Sequence, residues 1–193
     1  MLKLKQNRFM KTIPKNIKLE TKRLILKPVW FANPENMAKQ GNNFKIANFI
    51  GREFPNPYKT ENAISFIKFS KDNWNKKNQE WCFAIFKKDT NEFMGNIGIK
   101  PSEENNIIAN LGYWLGEEYW NNGYISEAIK VICDFSFKEL QVRKILANVY
   151  SPNKASQKAL LKANFKIEGI RTKNRILQDG KIVDDILFGK LKK

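Results

Sequence analysis

The strongest constraint on the fold is a strand-like segment that leads directly into a glycine turn and then a helix. Residues 109–128 read ANLGYWLGEEYWNNGYISEA, in which an apolar run precedes an Asn-Asn-Gly turn and a helical pattern follows it. A glycine loop at a helix start gathers unbonded backbone N–H groups at the positive end of the helix dipole. The segment therefore predicts a phosphate or pyrophosphate seat around Gly123.

The rest of the chain alternates between the two-residue period of strands and the 3.6-residue period of helices. Strand patterns cover 19–29, 81–86, 92–99, 111–115, 144–150, 165–176 and 181–191, and helical patterns cover 60–77, 124–140 and 153–163. Asn33-Pro34 predicts a further helix start, and Asn164 suits a left-handed helix end. This order predicts an α/β fold with a mixed sheet. Because no repeat or linker divides the chain, we predict one domain over residues 1–193.

The composition excludes several classes of protein. The chain has no histidine, which removes His-based nucleophile relays and most zinc sites, so we expect no metal. Cys82 and Cys133 lack CxxC spacing and are predicted to be reduced and buried. No apolar run approaches the roughly 20 residues that span a bilayer, and the N-terminal stretch lacks the apolar region of a signal peptide. We therefore expect no membrane association and a cytoplasmic location.

The net charge of +16 has two interpretations. A basic surface attracts polyanions. However, 29 Lys and 23 Asn against 6 Arg are typical of an A+T-rich genome, whereas nucleic-acid readers rely on Arg. We therefore do not expect a nucleic-acid partner. Residues 1–30 carry nine basic side chains and one acidic one, so residues 1–17 could form a flexible basic arm.

Two motifs carry a resemblance to a known family. The segments GYWLGEEYWNNGYISEA and NVYSPNKASQKALLKANFKIEG resemble the GNAT superfamily of acetyl-CoA-dependent N-acetyltransferases, and more closely its Rim-type branch, which acetylates ribosomal-protein N-termini. The similarity extends from LETKRLILKPV at Leu19 to the closing DDILFGKL. It implies acetyl-CoA as cofactor and a single α/β (α+β) domain. Its mixed, mostly antiparallel sheet would be splayed at the cofactor cleft, with helices on both faces.

The resemblance also implies a set of cofactor-binding positions. The family's pyrophosphate loop has the pattern Q/R-x-x-G-x-G/A, and its backbone N–H groups, through Ser126 in this chain, would bond the phosphates. This chain departs from the pattern at its first and last positions. The matching residues are Trp120, Asn121, Asn122, Gly123, Tyr124 and Ile125. A backbone N–H near Trp114 or Leu115 would polarise the thioester carbonyl.

The N-x-x-S element of the family falls on Asn153 and Ser156. Asn153 would bond the pantetheine amide, and Ser156 would act catalytically by donating a hydrogen bond or proton to the departing CoA thiolate. Asparagine and serine are also common helix caps, so a purely structural role for each stays open.

The general base is not evident from the sequence. Rim-type sequences often carry glutamate just before the GYW strand, but this chain has Asn110, which cannot accept a proton at neutral pH. Glu117 and Glu118 are nearby but fit a solvated turn. Glu53, in the IGREFPNPY loop that matches the acceptor region of the family, is a candidate replacement. Glu53 and Asn110 are thus the candidate substrate-binding residues.

The missing base favours an acceptor amine of low pKa. An α-amine of pKa about 7.8 is roughly 14% neutral at pH 7, whereas a lysine amine near 10.4 is only about 0.04% neutral. We therefore expect the acceptor to be a protein N-terminal α-amine, for example that of a ribosomal protein. A small amine or an antibiotic is the alternative acceptor. A non-catalytic acetyl-CoA binder or a ribosome- or RNA-binding protein is the alternative of another class, and monomer and homodimer both stay open.

Overall fold

The computed structural model describes residues 12–76, 80–102 and 107–193, which form an eight-stranded sheet and five α-helices. The strands are β1 Leu19–Glu20, β2 Leu24–Pro28, β3 Trp81–Lys87, β4 Phe93–Pro101, β5 Ile108–Leu115, β6 Lys144–Tyr150, β7 Lys166–Ile176 and β8 Ile182–Leu191. The helices are α1 Pro34–Gly41, α2 Phe44–Ile50, α3 Thr60–Asn73, α4 Tyr124–Lys138 and α5 Lys154–Lys162. Within these ranges no helix combines the length and apolarity needed to cross a membrane.

The sheet has the order β1-β2-β3-β4-β5-β6-β8-β7. Its strand pairs are antiparallel except for β5 and β6, which run parallel. Helix α4 leads from β5 to β6, as a parallel pair requires of its connection. This mixed, mostly antiparallel sheet confirms the predicted fold class.

Side chains of the sheet alternate between two buried clusters, one on each face. Strand β3 shows the division: Trp81, Phe83 and Ile85 pack into the larger cluster, which also holds the apolar side of α4. Cys82 and Ala84 face the smaller cluster, which holds side chains of α1 and α3. Helices therefore cover both faces, and β3 is buried on both sides because its alternate side chains enter different cores.

Several elements differ from the sequence-based prediction. The strand predicted over 19–29 is interrupted by a turn in which the Thr21 N–H donates to the Leu24 carbonyl at 3.0 Å. Helix α3 ends at Asn73 rather than near residue 77, which lies outside the described residues. Within this helical pattern Ile64 is 50% exposed, whereas Trp74 is buried. Helix α2 was not predicted, because its seven residues are too few to show a clear period.

The described part of the N-terminal segment is anchored to the domain. Ile13 is only 1% exposed, and its N–H donates to Asn75 Oδ1 at 2.9 Å. Its carbonyl accepts from Trp74 Nε1 at 2.9 Å and from Asn75 Nδ2 at 2.8 Å. Ile13, which lies within the predicted basic arm of residues 1–17, is therefore packed against the domain through its apolar side chain. Residues 1–11 of that prediction lie outside the described residues.

Candidate functional site

The turn between β5 and α4 has the backbone that its sequence predicts. Asn121 has φ +61° and Gly123 has φ +76°, ψ +3°, so both residues are left-handed. Glycine adopts this conformation without steric cost, and asparagine tolerates it better than most residues. Helix α4 then begins at Tyr124, directly after Gly123. Two left-handed residues turn the chain sharply and aim the helix start at the space outside the sheet.

The N-terminus of α4 is open to an anion. Gly123 is the N-cap, and no side chain among the described residues makes the cap hydrogen bond. The first amides of a helix have no partner within it, so those from Tyr124 to Ser126 converge on the turn. The candidate loop residues, Asn121 to Ser126, therefore lie together where a pyrophosphate could bind. Ile125 packs against the larger core instead of offering a polar contact.

Arg23, in the turn before β2, supports this loop through contacts that no sequence pattern indicates. Its Nη1 donates to the Asn122 carbonyl at 3.0 Å, and its Nε pairs with Glu127 Oε2 at 2.8 Å. Its guanidinium also lies 4.4 Å from the centre of the Tyr124 ring. Burial alone would raise the pKa of Glu127, but hydrogen bonds from Thr21 and Arg23 lower it below its usual value. The carboxylate thus holds the arginine against the loop.

Trp120 has a structural contact rather than an evident ligand contact. Its indole Nε1 donates to the Leu115 carbonyl at 2.8 Å, and its ring packs against the larger core. The residue that replaces the family's glutamine or arginine therefore ties the loop to the end of β5. A side-chain bond from Trp120 to a bound phosphate is not part of this arrangement.

Strands β5 and β6 separate after three paired positions. Their register is Ile108 with Lys144, Ala109 with Ile145 and Asn110 with Leu146, and no later residue pairs in the described sheet. A slot of about 140 Å³ opens between the diverging ends. It is lined by Phe49, Ile50, Leu111, Gly112, Tyr113, Ala147, Asn148, Val149, Tyr150, Asn153 and Ser156. The predicted splay of the sheet is therefore present at the predicted strands.

The direction of the backbone groups along β5 follows from its ladders. The Gly116 N–H donates to the Met94 carbonyl at 2.8 Å, so even-numbered residues bond β4. The Ile107 carbonyl accepts from the Lys144 N–H at 3.1 Å, so odd-numbered residues face β6. Since backbone groups alternate sides along a strand, this parity holds through the register that joins β4 and β5.

This parity corrects one predicted backbone donor. The Trp114 N–H points toward β4, so it cannot reach a ligand in the slot. Leu115 has the correct parity, but it does not line the slot in the described structure. The Tyr113 N–H points into the gap, and Tyr113 lines the slot and the larger cleft described below. Sequence inspection could not resolve a difference of one residue, because it depends on register.

Ser156 and Tyr113 meet in the slot. The Tyr113 hydroxyl lies 2.6 Å from Ser156 Oγ and 3.4 Å from the Ser156 carbonyl. Asn153 caps α5, since its Oδ1 accepts from the Ser156 N–H at 3.1 Å. Burial raises the pKa of Tyr113, an effect that the hydrogen bond to Ser156 only partly offsets. The tyrosine is therefore neutral at physiological pH and can donate its proton to Ser156 Oγ.

A larger cleft of about 990 Å³ adjoins the slot on the other face of the sheet. Ile50, Gly112, Tyr113 and Tyr150 line both, so the two spaces meet at the middle of β5. The cleft is also lined by Gly51, Arg52, Glu53, Phe54, Pro55, Tyr58, Asn62, Ser65, Phe66, Glu80, Cys82, Asn96, Gly98, Trp114, Asn174, Arg175 and Ile176. An acceptor in this cleft would approach the slot at Gly112.

The predicted substrate-binding residues have different positions. Glu53 lines the larger cleft, as its loop position suggested. Asn110 is exposed on β5 but is absent from the described lining of both spaces. Glu117 pairs with Lys45, and Glu118 accepts from Gln40 Nε2 at 2.6 Å, so both serve the turn after β5.

The turn between β7 and β8 holds the loop after α2, which forms one side of the cleft. Gln178 Nε2 donates to the Gly51 carbonyl at 3.1 Å and to the Phe54 carbonyl at 2.7 Å. The Phe54 ring stacks on Tyr58 with centroids 4.8 Å apart and contacts Trp114 edge-on at 6.3 Å. The loop after α2, which contains Glu53, is thereby held by hydrogen bonds to its backbone and by aromatic contacts of Phe54.

Both cysteines are free and buried, as predicted. Burial raises the pKa of Cys133 to about 12, and burial together with the charge of Glu80 raises the pKa of Cys82 well above its ordinary value. Neither thiol is therefore ionised at neutral pH, and the thiolate is the nucleophilic form. Among the described residues, no group of three or more Cys, Asp or Glu side chains could hold a metal ion.

Two comparisons of sequence agree with this geometry. Residues 23–166 match the family described as an acetyltransferase (GNAT) domain. The chain is 33% identical over 153 residues to an uncharacterized N-acetyltransferase, YoaA, of Bacillus subtilis (strain 168), which covers 79% of this chain and 84% of that protein. It is 30% identical over 104 residues to the ribosomal-protein-serine acetyltransferase of Escherichia coli (strain K12), covering 54% and 56% of the two chains.

A comparison of structures gives the same fold. The solved structure of RimL, a ribosomal-protein alpha-N-acetyltransferase in complex with coenzyme A, superposes with a TM-score of 0.76. The match covers 91% of this chain and 98% of the other at 16% identity, so the likeness is one of fold.

Proposed function

Because this chain belongs to the GNAT family of acetyltransferases and is an acetyl-CoA-dependent N-acetyltransferase, we propose that its acceptor is the N-terminal α-amine of a protein. Acetyl-CoA supplies an activated acetyl group as a thioester. The proposal for the acceptor is supported chiefly by one observation: a cleft of about 990 Å³ that carries two carboxylates and meets the slot at Gly112.

The loop from Asn121 to Ser126 would hold the pyrophosphate. Its fit to that group rests on the uncapped start of α4 and the left-handed Gly123, which together present amides without an obstructing side chain. A Cβ on Gly123 would approach only Arg23 Nη2, at 3.7 Å, so the space above the loop is open among the described residues. Arg23 keeps the loop in this conformation.

The free edge of β5 would hold the pantetheine arm like an added strand. Leu111 and Tyr113 direct their backbone groups into the slot, and Asn153 closes its far side. The Tyr113 N–H would donate to the thioester carbonyl oxygen as negative charge develops there. One such donor contributes roughly 3–4 kcal/mol to a transition state.

The hydroxyl pair of Tyr113 and Ser156 would assist departure of the thiolate. The two hydroxyl oxygens lie 2.6 Å apart, and with Tyr113 as the donor the serine proton would be available to the sulfur. Because both cysteines are neutral and the chain has no histidine to activate one, we propose direct attack of the amine without an acetyl-enzyme.

The chemistry of the cleft favours an α-amine. Glu53 and Glu80 are the acidic side chains in its described lining, so the group that would accept the proton of the amine is a carboxylate. Taking a proton from an α-ammonium of pKa about 7.8 costs about 3.5 kcal/mol less than taking it from a lysine of pKa about 10.4. The cleft volume also lies at the upper end of the roughly 300–1,000 Å³ of small-molecule sites, which suits a peptide end.

A release assay for free thiol tests the acceptor class. Peptides that begin with serine or alanine should be turned over at neutral pH, and the same peptides blocked at the N-terminus but carrying an internal lysine should not. Polyamines and aminoglycosides represent the alternative acceptors. Faster turnover of either small-amine class than of any unblocked peptide would contradict the proposed acceptor while leaving acetyl transfer intact.

A further inference from the structure

Glu80 stands in a row of residues that faces the larger cleft. The register joins Cys82 to Gly98 and Gly98 to Gly112 across three adjacent strands. Glu80 precedes Cys82 by two residues, so its side chain leaves the same face of the sheet. Glu80 also lines this cleft, where part of its surface reaches solvent while its carboxylate lies over Gly98.

Gly98 leaves room for the Glu80 carboxylate, and Gly112 leaves the neighbouring position open. A Cβ on Gly98 would lie only 2.0 Å from Glu80 Oε1, so the carboxylate occupies the place of the missing side chain. At Gly112, no heavy atom of the described residues lies within 4 Å of the corresponding Cβ position. Neighbouring strands are about 4.8 Å apart, so the carboxylate lies roughly one strand spacing from the open position at Gly112.

Gly112 is where the two spaces join. It lines the slot that would hold the thioester and the cleft that would admit the acceptor. An amine that enters the slot across Gly112 therefore passes near the Glu80 carboxylate. Glu53 lines the same cleft from the loop after α2, outside this row of strand residues.

The surroundings of Glu80 make its carboxylate a stronger base. Burial raises the pKa of Glu80, and the positive charge of Lys100 only partly offsets this effect. The neutral thiol of Cys82 is its neighbour on β3. The other charged or titratable side chains lining the cleft are Arg52, Glu53, Tyr58, Tyr113, Tyr150 and Arg175.

We propose that Glu80 is the general base of the acetyl transfer, an assignment that rests on the proposed function. The amine nitrogen forms a bond to the acetyl carbon, and the bond from that carbon to sulfur breaks. The proton lost by the amine passes to the Glu80 carboxylate, directly or through one water, and then to solvent. The departing thiolate takes its proton from the Ser156 hydroxyl, which is replenished by Tyr113, and Tyr113 regains its proton from solvent.

Glu80→Gln is the first test, measured on whichever amine the wild type turns over fastest. A positioned general base contributes about 10²–10⁴-fold, so kcat/KM should fall by at least about 10²-fold at pH 7. The acetyl-CoA dissociation constant, measured by calorimetry, should stay within about twofold, because Glu80 lies on the acceptor side. Glu80→Asp should recover part of the rate. Glu35→Gln, on the exposed first turn of α1, is the matched control and should retain wild-type kinetics.

The pH dependence separates a base from a structural residue. The acceptor amine becomes mostly neutral about one pH unit above its own pKa, which is near pH 9 for an α-amine of pKa about 7.8. The ratio of wild-type to Glu80→Gln activity should therefore shrink between pH 6.5 and that pH. A ratio that stays constant over this range indicates a structural role and overturns the assignment. A larger loss in Glu53→Gln than in Glu80→Gln would make Glu53 the base.

These outcomes are distinguishable from failure of the proposed acceptor. If small amines outperform N-terminal peptides but Glu80→Gln shows the pH-dependent loss, the acceptor proposal fails and the base assignment stands. If peptides are the best acceptors and Glu80→Gln keeps full activity, the base assignment fails alone. A wild type that turns over none of these amines contradicts both.

Discussion

Removal of the Ser156 hydroxyl should slow the chemical step without weakening cofactor binding. A general acid that protonates the leaving group contributes about 10²-fold, or about 2.7 kcal/mol, so Ser156→Ala should lower kcat by that factor. The Tyr113 hydroxyl has the Ser156 carbonyl at 3.4 Å as a second acceptor, so the variant should fold. The acetyl-CoA dissociation constant should hardly change, because the interaction strengthens only as charge develops on sulfur.

Tyr113→Phe resolves whether the tyrosine acts through the serine. Their oxygens are 2.6 Å apart, and loss of one such hydrogen bond costs about 0.5–1.5 kcal/mol, so kcat should fall by up to roughly tenfold. If Tyr113 acts only through Ser156, the double variant should be no slower than Ser156→Ala alone. The assay is thiol release at saturating acetyl-CoA, with affinity from calorimetry and folding from the melting temperature.

Three results would refute this account. Losses that simply multiply in the double variant would show that the two hydroxyls act independently. A weaker acetyl-CoA affinity with kcat preserved would make Ser156 a binding contact. An unchanged kcat and affinity with a lower melting temperature would reduce Ser156 to a member of the α5 cap, where its N–H bonds Asn153 Oδ1.

Three further predictions concern the loop, the cysteines and pH. Gly123→Val should weaken acetyl-CoA binding, measured by calorimetry, at least about tenfold, or about 1.4 kcal/mol, because valine is strained at the φ of +76° in the loop. Gly180→Val is the control: it imposes similar backbone strain at φ +86° but should leave the acetyl-CoA affinity unchanged. Alanine at Cys82 or Cys133 should leave turnover largely intact, and mass spectrometry should find no acetyl group on the enzyme that an acceptor removes. Glu127 has a lowered pKa in the folded state, so it stabilises the fold above its unfolded pKa of about 4.3 and stops doing so as pH falls through the folded value. Glu127→Gln should therefore lower the melting temperature at pH 7 and flatten its decline in acid; an identical decline would contradict this.

The cofactor half of the site could be predicted because its geometry is local. Six consecutive residues set the loop, and the left-handed φ of Gly123 follows from glycine in a strand-to-helix turn. The α5 cap is equally local, since Asn153 and Ser156 are three residues apart on the first helical turn. Backbone donors at a helix start need no distant partner, so sequence alone fixes where they converge.

The supports of that loop could not be predicted in the same way. Arg23 reaches Asn122 and Glu127 from about 100 positions earlier in the chain. Neither residue type nor spacing announces such a contact, because it depends on how β2 packs beside α4. Trp120 likewise departs from the family pattern, yet its indole bond to the Leu115 carbonyl gives it a role that only the folded turn defines.

The reacting centre depends on strand register, which is where sequence inspection reaches its limit. The donor amide that we propose is that of Tyr113 rather than Trp114, because odd-numbered residues of β5 face the gap and a slip of one residue would reverse this. The same register aligns Gly98 with Gly112. Because neither residue has a side chain, the space between Glu80 and the slot is open at these two positions. With Glu80 as the proposed base, a glutamate at the position of Asn110 is not required to take the proton from the acceptor amine. A carboxylate that directly precedes β3 can serve an amine at Gly112 of β5, provided that the residue between them, Gly98 of β4, is small.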